Sequence, residues 1–426
     1  MKKFNPEFDD VIVLTFVDSE EETFLYKEFE SLLETCQYNV RMVISFSMRQ
    51  INHNSFFGKG KLEEIAFKIK ESIENVPEFY RVKKVACNFD LTAVQKKNIE
   101  EALNMEVMDR TEIILRIFEI NARSKEAILQ AEIAKLEYLK TRLIDNKAKY
   151  SQVTSGTGHN KGKGEKQIEL NRRQILLRIA NKKKELQSVK WSREFSRRDR
   201  SDSSIPRIAI VGYTNAGKST LLNAILEYAH QDENKMVYAD DKLFATLETS
   251  TRLIRSAVFP LFFLTDTVGF ISNLPTFLID AFRSTLEEIK EANLIVQVVD
   301  LSSPFKDDNI RVTNNILKEL GADHIPQFYI LNKYDLLDET PTSLPKDNEI
   351  FTSLKEDPNI PEILHYLFLS VCKDWRNETV KIPYYKLHDF VEDNFIYHFI
   401  EENEKGVICK AYLNPKTLYK YRYMII

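Results

Sequence analysis

A lysine followed by a serine, with glycines one and six residues before the lysine, is chemistry for holding a polyphosphate. The run Gly212-Tyr213-Thr214-Asn215-Ala216-Gly217-Lys218-Ser219 fits the pattern G-x-x-x-x-G-K-[ST]. In such a loop the backbone N–H groups turn toward phosphate oxygens, the lysine reaches the β- and γ-phosphates, and the hydroxyl ligates Mg²⁺. The expected phosphate contacts therefore run from Gly212 through Thr220, with Lys218 and Ser219 as the charged and metal-ligating members. A second run, Asp266-Thr267-Val268-Gly269, offers a carboxylate for the metal, directly or through water, and a glycine N–H for the γ-phosphate. A third, Asn332-Lys333-Tyr334-Asp335, offers a carboxylate that can accept from guanine N1–H and from the exocyclic amine. Adenine lacks both donors and would leave that carboxylate unpaired, which selects against ATP. The three runs in this order imply a chain that binds and hydrolyses GTP with Mg²⁺.

Each run must be held by an element. Apolar stretches at residues 207–211, 261–265 and 327–331 read as strands ending at the three motifs, and residues 220–226 read as the helix that the phosphate loop opens. This predicts a doubly wound α/β GTPase domain over residues 205–372, with loops at the carboxyl ends of its strands. Thr352, Ser353 and Leu354 follow another strand signal and match a base-contact loop, where the Leu354 N–H would meet guanine O6. Thr246 is the best switch threonine for Mg²⁺ and the γ-phosphate, with Thr249, Ser250 and Thr251 as rivals. The catalytic set is then Lys218, Thr246 and Gly269. Where many GTPases carry a water-orienting glutamine after the DxxG glycine, this sequence has Phe270, which has no hydrogen-bonding group.

Residues 1–110 alternate strand signals (11–16, 39–46, 84–89) with helix signals (23–35, 62–74), which predicts a small α/β domain. Residues 111–200 hold two long helix-forming runs, 113–143 and 165–193, separated by a glycine-rich stretch, and so predict a helical hairpin. A charged linker follows at residues 197–204. The tail, residues 380–426, predicts a small α+β domain with a helix over 387–401 and a strand over 406–413.

At 426 residues the chain exceeds one ordinary core. Its net charge of −4 is unevenly spread: residues 111–200 carry 22 Lys+Arg against 11 Asp+Glu. A basic hairpin on an acidic remainder points to a polyanionic partner. Charges on a long helical pair are equally a solvated face, and charge alone leaves both readings open. Four widely spaced cysteines form no C-x-x-C pair, and no apolar run reaches membrane-spanning length. A monomeric cytoplasmic protein without membrane insertion is expected. The 18 tyrosines are a bias that the motifs do not explain.

Further residues narrow the assignment. Asp266-Thr267-Val268-Gly269-Phe270-Ile271, Leu274-Pro275 and Ala281-Phe282-Arg283-Ser284-Thr285-Leu286-Glu287-Glu288 closely resemble switch II of the HflX GTPases. Leu243-Phe244-Ala245-Thr246-Leu247-Glu248 resembles their switch I, which adds Phe244 to the nucleotide contacts. Gly58-Lys59-Gly60-Lys61, Met108-Asp109-Arg110-Thr111-Glu112, Gly164-Glu165 and Arg172-Arg173 also match, so the resemblance spans residues 10–410. It implies a GTPase that binds the large ribosomal subunit and its rRNA, and that splits or rescues stalled ribosomes, with the hairpin tip reaching toward the peptidyl-transferase centre. Lys161, Lys163, Lys166, Arg172 and Arg173 would then neutralise rRNA phosphates. An assembly checkpoint on immature large subunits and a nucleotide-driven RNA-remodelling enzyme are the alternatives. The family has been credited with adenine-nucleotide binding in its first domain. Cys36-Gln37 departs from the family pattern there, and Gly58-Lys59-Gly60-Lys61 reads as a phosphate loop, as an RNA-phosphate contact or as a turn before a helix.

Overall fold

Val11, Ile12, Val13 and Leu14 are all buried because strand β1 (Asp9–Thr15) lies inside a parallel sheet, where both faces are covered. The computed structural model describes residues 8–47, 51–73, 82–153, 161–201, 205–229, 250–254, 261–272, 274–275, 277–278, 288–337, 348–393, 397–403 and 405–426. Two units emerge, one built mainly from residues before 199 and the other mainly from those after.

In the first unit the strand order is β2 (Tyr38–Ser45), β1, β3 (Lys84–Cys87), β4 (Glu106–Met108), all parallel. Helix α1 (Glu20–Thr35) starts on a capping box: the Ser19 hydroxyl accepts from the Glu22 N–H and the Glu22 carboxylate accepts from the Ser19 N–H. Helix α3 (Ala93–Leu103) repeats the device with Thr92 and Gln95. Between them, α2 (Lys59–Ile73) begins inside the Gly58-Lys59-Gly60-Lys61 run. Nothing crowds Gly58 or Gly60, and Lys61 pairs with Glu64 at 2.9 Å. That geometry favours the turn before a helix. At the carboxyl edge of this sheet, Phe16, Phe46, Phe56, Phe57 and Phe89 pack together, with Phe56 and Phe89 stacked at 4.1 Å.

The helix expected over residues 113–143 is two helices, α4 (Arg110–Asn121) and α5 (Lys125–Val153). Ala122 leaves the helical region at ψ 113°, and the Ser124 hydroxyl caps the new start by accepting from Ala127 N–H. Helix α4 buries Ile113, Ile114, Leu115, Ile117 and Phe118, which places it in the core rather than on a solvated hairpin. Helix α6 (Lys161–Ser201) pairs with α5 through Leu129, Ile133 and Leu186. Residues 154–160 at the tip lie outside the described residues.

One carboxylate joins these pieces. Asp109 is fully buried; it accepts from the Glu112 N–H of α4 at 2.9 Å, from the Tyr138 hydroxyl of α5 at 3.0 Å, and from Arg142. Burial pushes its carboxyl above the ordinary value while the Arg142 guanidinium pulls it back.

The second unit holds a six-stranded sheet in the order β10 (Glu349–Phe351), β9 (Gln327–Asn332), β8 (Leu294–Asp300), β5 (Arg207–Gly212), β7 (Phe262–Asp266), β6 (Ser250–Ile254). Only the β6–β7 pair is antiparallel. Helix α7 (Lys218–Tyr228) and helix α9 (Ile360–Val371) share one core with the sheet, while α8 (Lys306–Glu319) contributes Ile316 and Leu317 to a second. A three-stranded antiparallel sheet follows, ordered β11 (Arg376–Ile382), β13 (Gly406–Leu413), β12 (Tyr397–Asn403), with helices α10 (Tyr384–Glu392) and α11 (Pro415–Tyr421). The helix expected over 387–401 therefore ends at Glu392, and its second half is β12. The aromatic and β-branched run after residue 394 favours a strand once β13 is there to pair with it.

Asp109→Ala strands the Arg142 guanidinium and uncaps α4, and should cost the first unit about 3–5 kcal/mol. Tyr138→Phe should cost less, about 1–2 kcal/mol, since Asp109 keeps its other donors. Hydrogen exchange of α4 and α5 amides measures both; protection unchanged in Asp109→Ala would remove Asp109 from this role.

Candidate nucleotide-binding site

The three motifs stand at the carboxyl ends of β5, β7 and β9, three strands of one sheet. Gly212 and Gly217 have φ of +142° and +106°, a region that side chains avoid. A Cβ at Gly217 would also collide with the Asn332 amide nitrogen, so the loop can close on Asn332 only because this residue is glycine. Between them, Asn215 is left-handed at φ 60° and exposed, and Ala216 is buried. Helix α7 starts at Lys218, which directs the orphan N–H groups of its first turn at whatever the loop encloses.

Lys218 is buried, and its Nζ donates to the Tyr213 carbonyl at 2.7 Å. Burial draws the ammonium down to about 8 from its ordinary 10.5, although Asp266 opposes the change. An anion that replaced the missing solvation would restore the charge, which is what a triphosphate supplies. The Ser219 hydroxyl donates to Asp266 Oδ2 at 2.7 Å. A hydroxyl and a carboxylate at that spacing are the hard oxygen donors that Mg²⁺ takes. Thr214 Oγ1 is buried with no hydrogen-bond partner among the described residues, and Thr220, in the first turn of α7, is exposed.

Gly269 lies against the same lysine: a Cβ there would stand 2.9 Å from Lys218 Nζ and 2.7 Å from Thr214 Cγ2. The next residue, Phe270, is buried beside Ala209, Val211, Ile289 and Leu317. Its backbone is laced to the phosphate loop, with Phe270 N–H donating to the Gly212 carbonyl at 3.2 Å and Thr214 N–H to the Phe270 carbonyl at 2.8 Å. Phe270 is thus a core residue that fixes the start of the switch, and its side chain does not face the reacting phosphate.

The base side is organised by Asn332. Its amide nitrogen donates to the Ala216 carbonyl at 2.8 Å, and its amide oxygen accepts from the Leu354 N–H at 3.0 Å. The Leu354 N–H offered to guanine O6 is therefore taken by Asn332, and the Leu354 side chain lies in the core beneath the loop. Thr352 and Ser353 are buried as well: the Thr352 hydroxyl donates to the Pro358 carbonyl, and the Ser353 hydroxyl accepts from the Glu356 N–H. These two shape the loop. Lys333 is left-handed at φ 65° and pairs with Asp300 at 2.7 Å. Asp335 sits in a single 3₁₀ turn, Tyr334–Leu336, with its side chain exposed.

Asp300 escaped the sequence reading although its signal, a carboxylate closing an apolar strand, is the one that exposed Asp266. Thr251 is removed from the switch candidates, because its hydroxyl lies 2.9 Å from that of Thr265 across the β6–β7 pair and is 3.0 Å from the Glu288 carboxylate, to which it donates. Ser250 belongs to the same pair, opposite Asp266 in register. Phe244, Thr246 and Thr249 lie outside the described residues.

Comparison with known proteins matches three successive stretches of the chain. Families described as GTP-binding GTPase N-terminal, GTP-binding GTPase Middle Region and 50S ribosome-binding GTPase match residues 25–119, 121–200 and 207–333. A GTPase HflX of Caldanaerobacter subterraneus subsp. tengcongensis is 36% identical over 431 residues, covering 100% of this chain and 96% of that one. GTPase HflX of Spirochaeta thermophila is 36% identical over 89% of this chain and 90% of its own, and that of Escherichia coli is 34% identical over 84% and 81%. Among solved structures, a GTP-binding protein of the archaeon Sulfolobus solfataricus in complex with GDP aligns over 86% of this chain and 99% of its own, at 22% identity and a TM-score of 0.43.

Two outcomes follow from this geometry. Asn332→Ala leaves the Ala216 carbonyl and the Leu354 N–H without their partner, at about 1–3 kcal/mol each, so GTP affinity should fall at least about tenfold in a fluorescent-nucleotide titration. Affinity within twofold of the parent would deny Asn332 its bridging role. The second concerns pH. Because the Lys218 value is lowered, the free protein at pH 9 holds this group about nine-tenths neutral, and triphosphate binding should draw in about one proton. Calorimetry in two buffers of different ionisation enthalpy reads that uptake directly; buffer-independent heats at pH 9 would mean that Lys218 is already charged.

Proposed function

The chain belongs to the HflX family of GTPases and hydrolyses GTP, and we propose that it uses this cycle to bind the large ribosomal subunit and split or rescue stalled ribosomes. One observation carries the reading: a domain of the 50S ribosome-binding GTPase type is joined, in one chain, to a long helical pair with an excess of 11 positive charges. A GTP cycle gives a switch, and a basic helical pair gives a surface for rRNA phosphates.

Mg²⁺ would be held by Ser219 and Asp266, with Thr246 as the switch ligand, and would neutralise charge between the β- and γ-phosphates. Lys218 would add its charge to the same oxygens, and the Gly269 N–H, on the segment lying against Lys218, would donate to them. Guanine would be selected by the exposed Asp335 carboxylate, on a loop that Asn332 holds in register with the phosphate loop. Phe270 cannot orient the attacking water, so intrinsic hydrolysis is slow and the large subunit supplies or repositions the missing group. Lys161, Lys163, Lys166, Arg172 and Arg173 would meet rRNA near the hairpin tip.

Light scattering of intact ribosomes tests this. With a non-hydrolysable GTP analogue, the full chain should lower the scattering of 70S particles. Deleting residues 155–164, or changing Lys161, Lys163 and Lys166 to Glu, should leave GTP affinity intact and abolish most of that drop. Subunit binding by the charge-reversed protein should lose about two from its log–log salt slope. Full splitting by either variant would take the hairpin out of the mechanism, and no splitting by the parent protein would refute the function.

A further inference from the structure

The last 51 residues, 376–426, hold 7 of the 18 tyrosines, and the motifs of the GTP cycle explain none of them. Helix α11 and the 3₁₀ turn after it (Arg422–Met424) divide cleanly into two faces. Thr417, Tyr421 and Met424 point inward to the small sheet's core. Lys416, Tyr419, Lys420 and Tyr423 recur at i, i+3, i+4 and i+7 and all face solvent. Tyr419 is 69% exposed and Tyr423 62%, while Tyr385 at the start of α10 is 78% exposed. Exposing so much aromatic surface in so small a domain is unfavourable unless something covers it.

The rings are also held. The Arg422 guanidinium carbon stands 4.6 Å from the Tyr419 ring centre, and Lys386 Nζ stands 4.8 Å from that of Tyr423 while donating to its hydroxyl. Arg422 lies over one face of the Tyr419 ring, and Lys386 holds the Tyr423 ring at its hydroxyl edge. Charge has a matching bias: residues 405–426 carry five Lys or Arg and no Asp or Glu. Lys420 is paired with Asp393 at 2.7 Å, but no carboxylate pairs with Lys416 or Lys410 among the described residues.

We propose that this face of the C-terminal domain binds single-stranded RNA, with unpaired bases stacked on Tyr419 and Tyr423 and phosphates on Lys416 and Arg422. Aromatic rings beside unpaired cations suit a strand that presents flat bases and a charged backbone together, and stacking needs no particular sequence. A folded protein partner would be met by an apolar patch depleted in lysine, which this face is not. The site is separate from the hairpin and does not depend on the ribosomal reading.

The test is fluorescence anisotropy of a fluorescein-labelled twelve-nucleotide oligouridine with the full chain. Tyr419→Ala/Tyr423→Ala should weaken binding at least about tenfold, whereas Tyr419→Phe/Tyr423→Phe, which keeps the rings, should stay within about threefold. Lys416→Glu/Arg422→Glu should weaken binding and flatten its salt dependence. The tyrosine effect should persist when Lys161, Lys163 and Lys166 are changed to Glu, which separates this site from the hairpin. Parent-like GTP affinity and melting temperature establish that each variant is folded. Undiminished binding by the alanine variant overturns the proposal, as does equal loss in the phenylalanine variant. Sedimentation with phosphatidylserine vesicles in the absence of any oligonucleotide binding would overturn it too, in favour of a membrane surface.

Discussion

One side-chain amide holds the two halves of the nucleotide site in register. Asn332 ends β9, yet its nitrogen reaches the Ala216 carbonyl of the phosphate loop and its oxygen takes the Leu354 N–H of the loop after β10. It is buried, so each bond is made where water cannot substitute for it. The loop expected to grip phosphate and the loop after β10 are thereby tied to β9 through one side chain. Gly217 is glycine because Asn332 approaches it, and Leu354 can be a large residue because its backbone is tied to Asn332 while its side chain drops into the core. Preorganisation of this kind removes the ordering cost from nucleotide binding.

Rigidity at the base side contrasts with the phosphate side, where Lys218 carries the tension. A buried ammonium that has, among the described residues, one carbonyl at hydrogen-bond distance is costly, which is why its proton is held loosely. The segment from Asp266 to Phe270 closes over it through two backbone bonds to the phosphate loop. Those bonds make Phe270 an anchor. Any rearrangement that brought a water-orienting group to the γ-phosphate would have to come from beyond residue 270, or from another molecule, because moving Phe270 would empty a place in the core beside Val211 and Ile289.

How much of this was legible in the sequence depended on how local the cause was. The phosphate loop, Asp266 and the run from Asn332 to Asp335 were readable because each is a short motif of fixed spacing, whereas Asp300 closes an apolar strand outside such a motif and gains a role only from the Lys333 found against it. The break at residues 122–124 was not, since residues 113–143 keep helix-forming composition throughout; what divides α4 from α5 is the Ser124 cap and the burial of α4 against its own unit. Strand β12 was read as helix for the opposite reason: its pairing with β13 is decided by a partner rather than by its own pattern. Leu354 shows a finer limit. Sequence placed it in the right loop, but only geometry reveals that its N–H is already taken.

The hairpin's charge also divides once the pairs are located. Lys182 bridges to Glu132 at 2.7 Å, Lys183 to Glu137 at 3.1 Å and Lys125 to Glu185 at 3.3 Å, all between α5 and α6. Lys135 likewise binds Glu119 and Arg142 binds Asp109, so cations near the base hold the helices to each other and to α4. A solvated or structural face accounts for these. The stretch from residue 161 to 173 has five Lys or Arg against two Glu and begins where the second helix begins. In that stretch Lys161 and Glu165, and Glu169 and Arg173, are spaced i, i+4, which favours a helix, so its excess of three positive charges is not needed to hold the helix together. The base of the hairpin is therefore stabilised by its own charges, and the excess toward the tip is what the proposed polyanionic partner would meet.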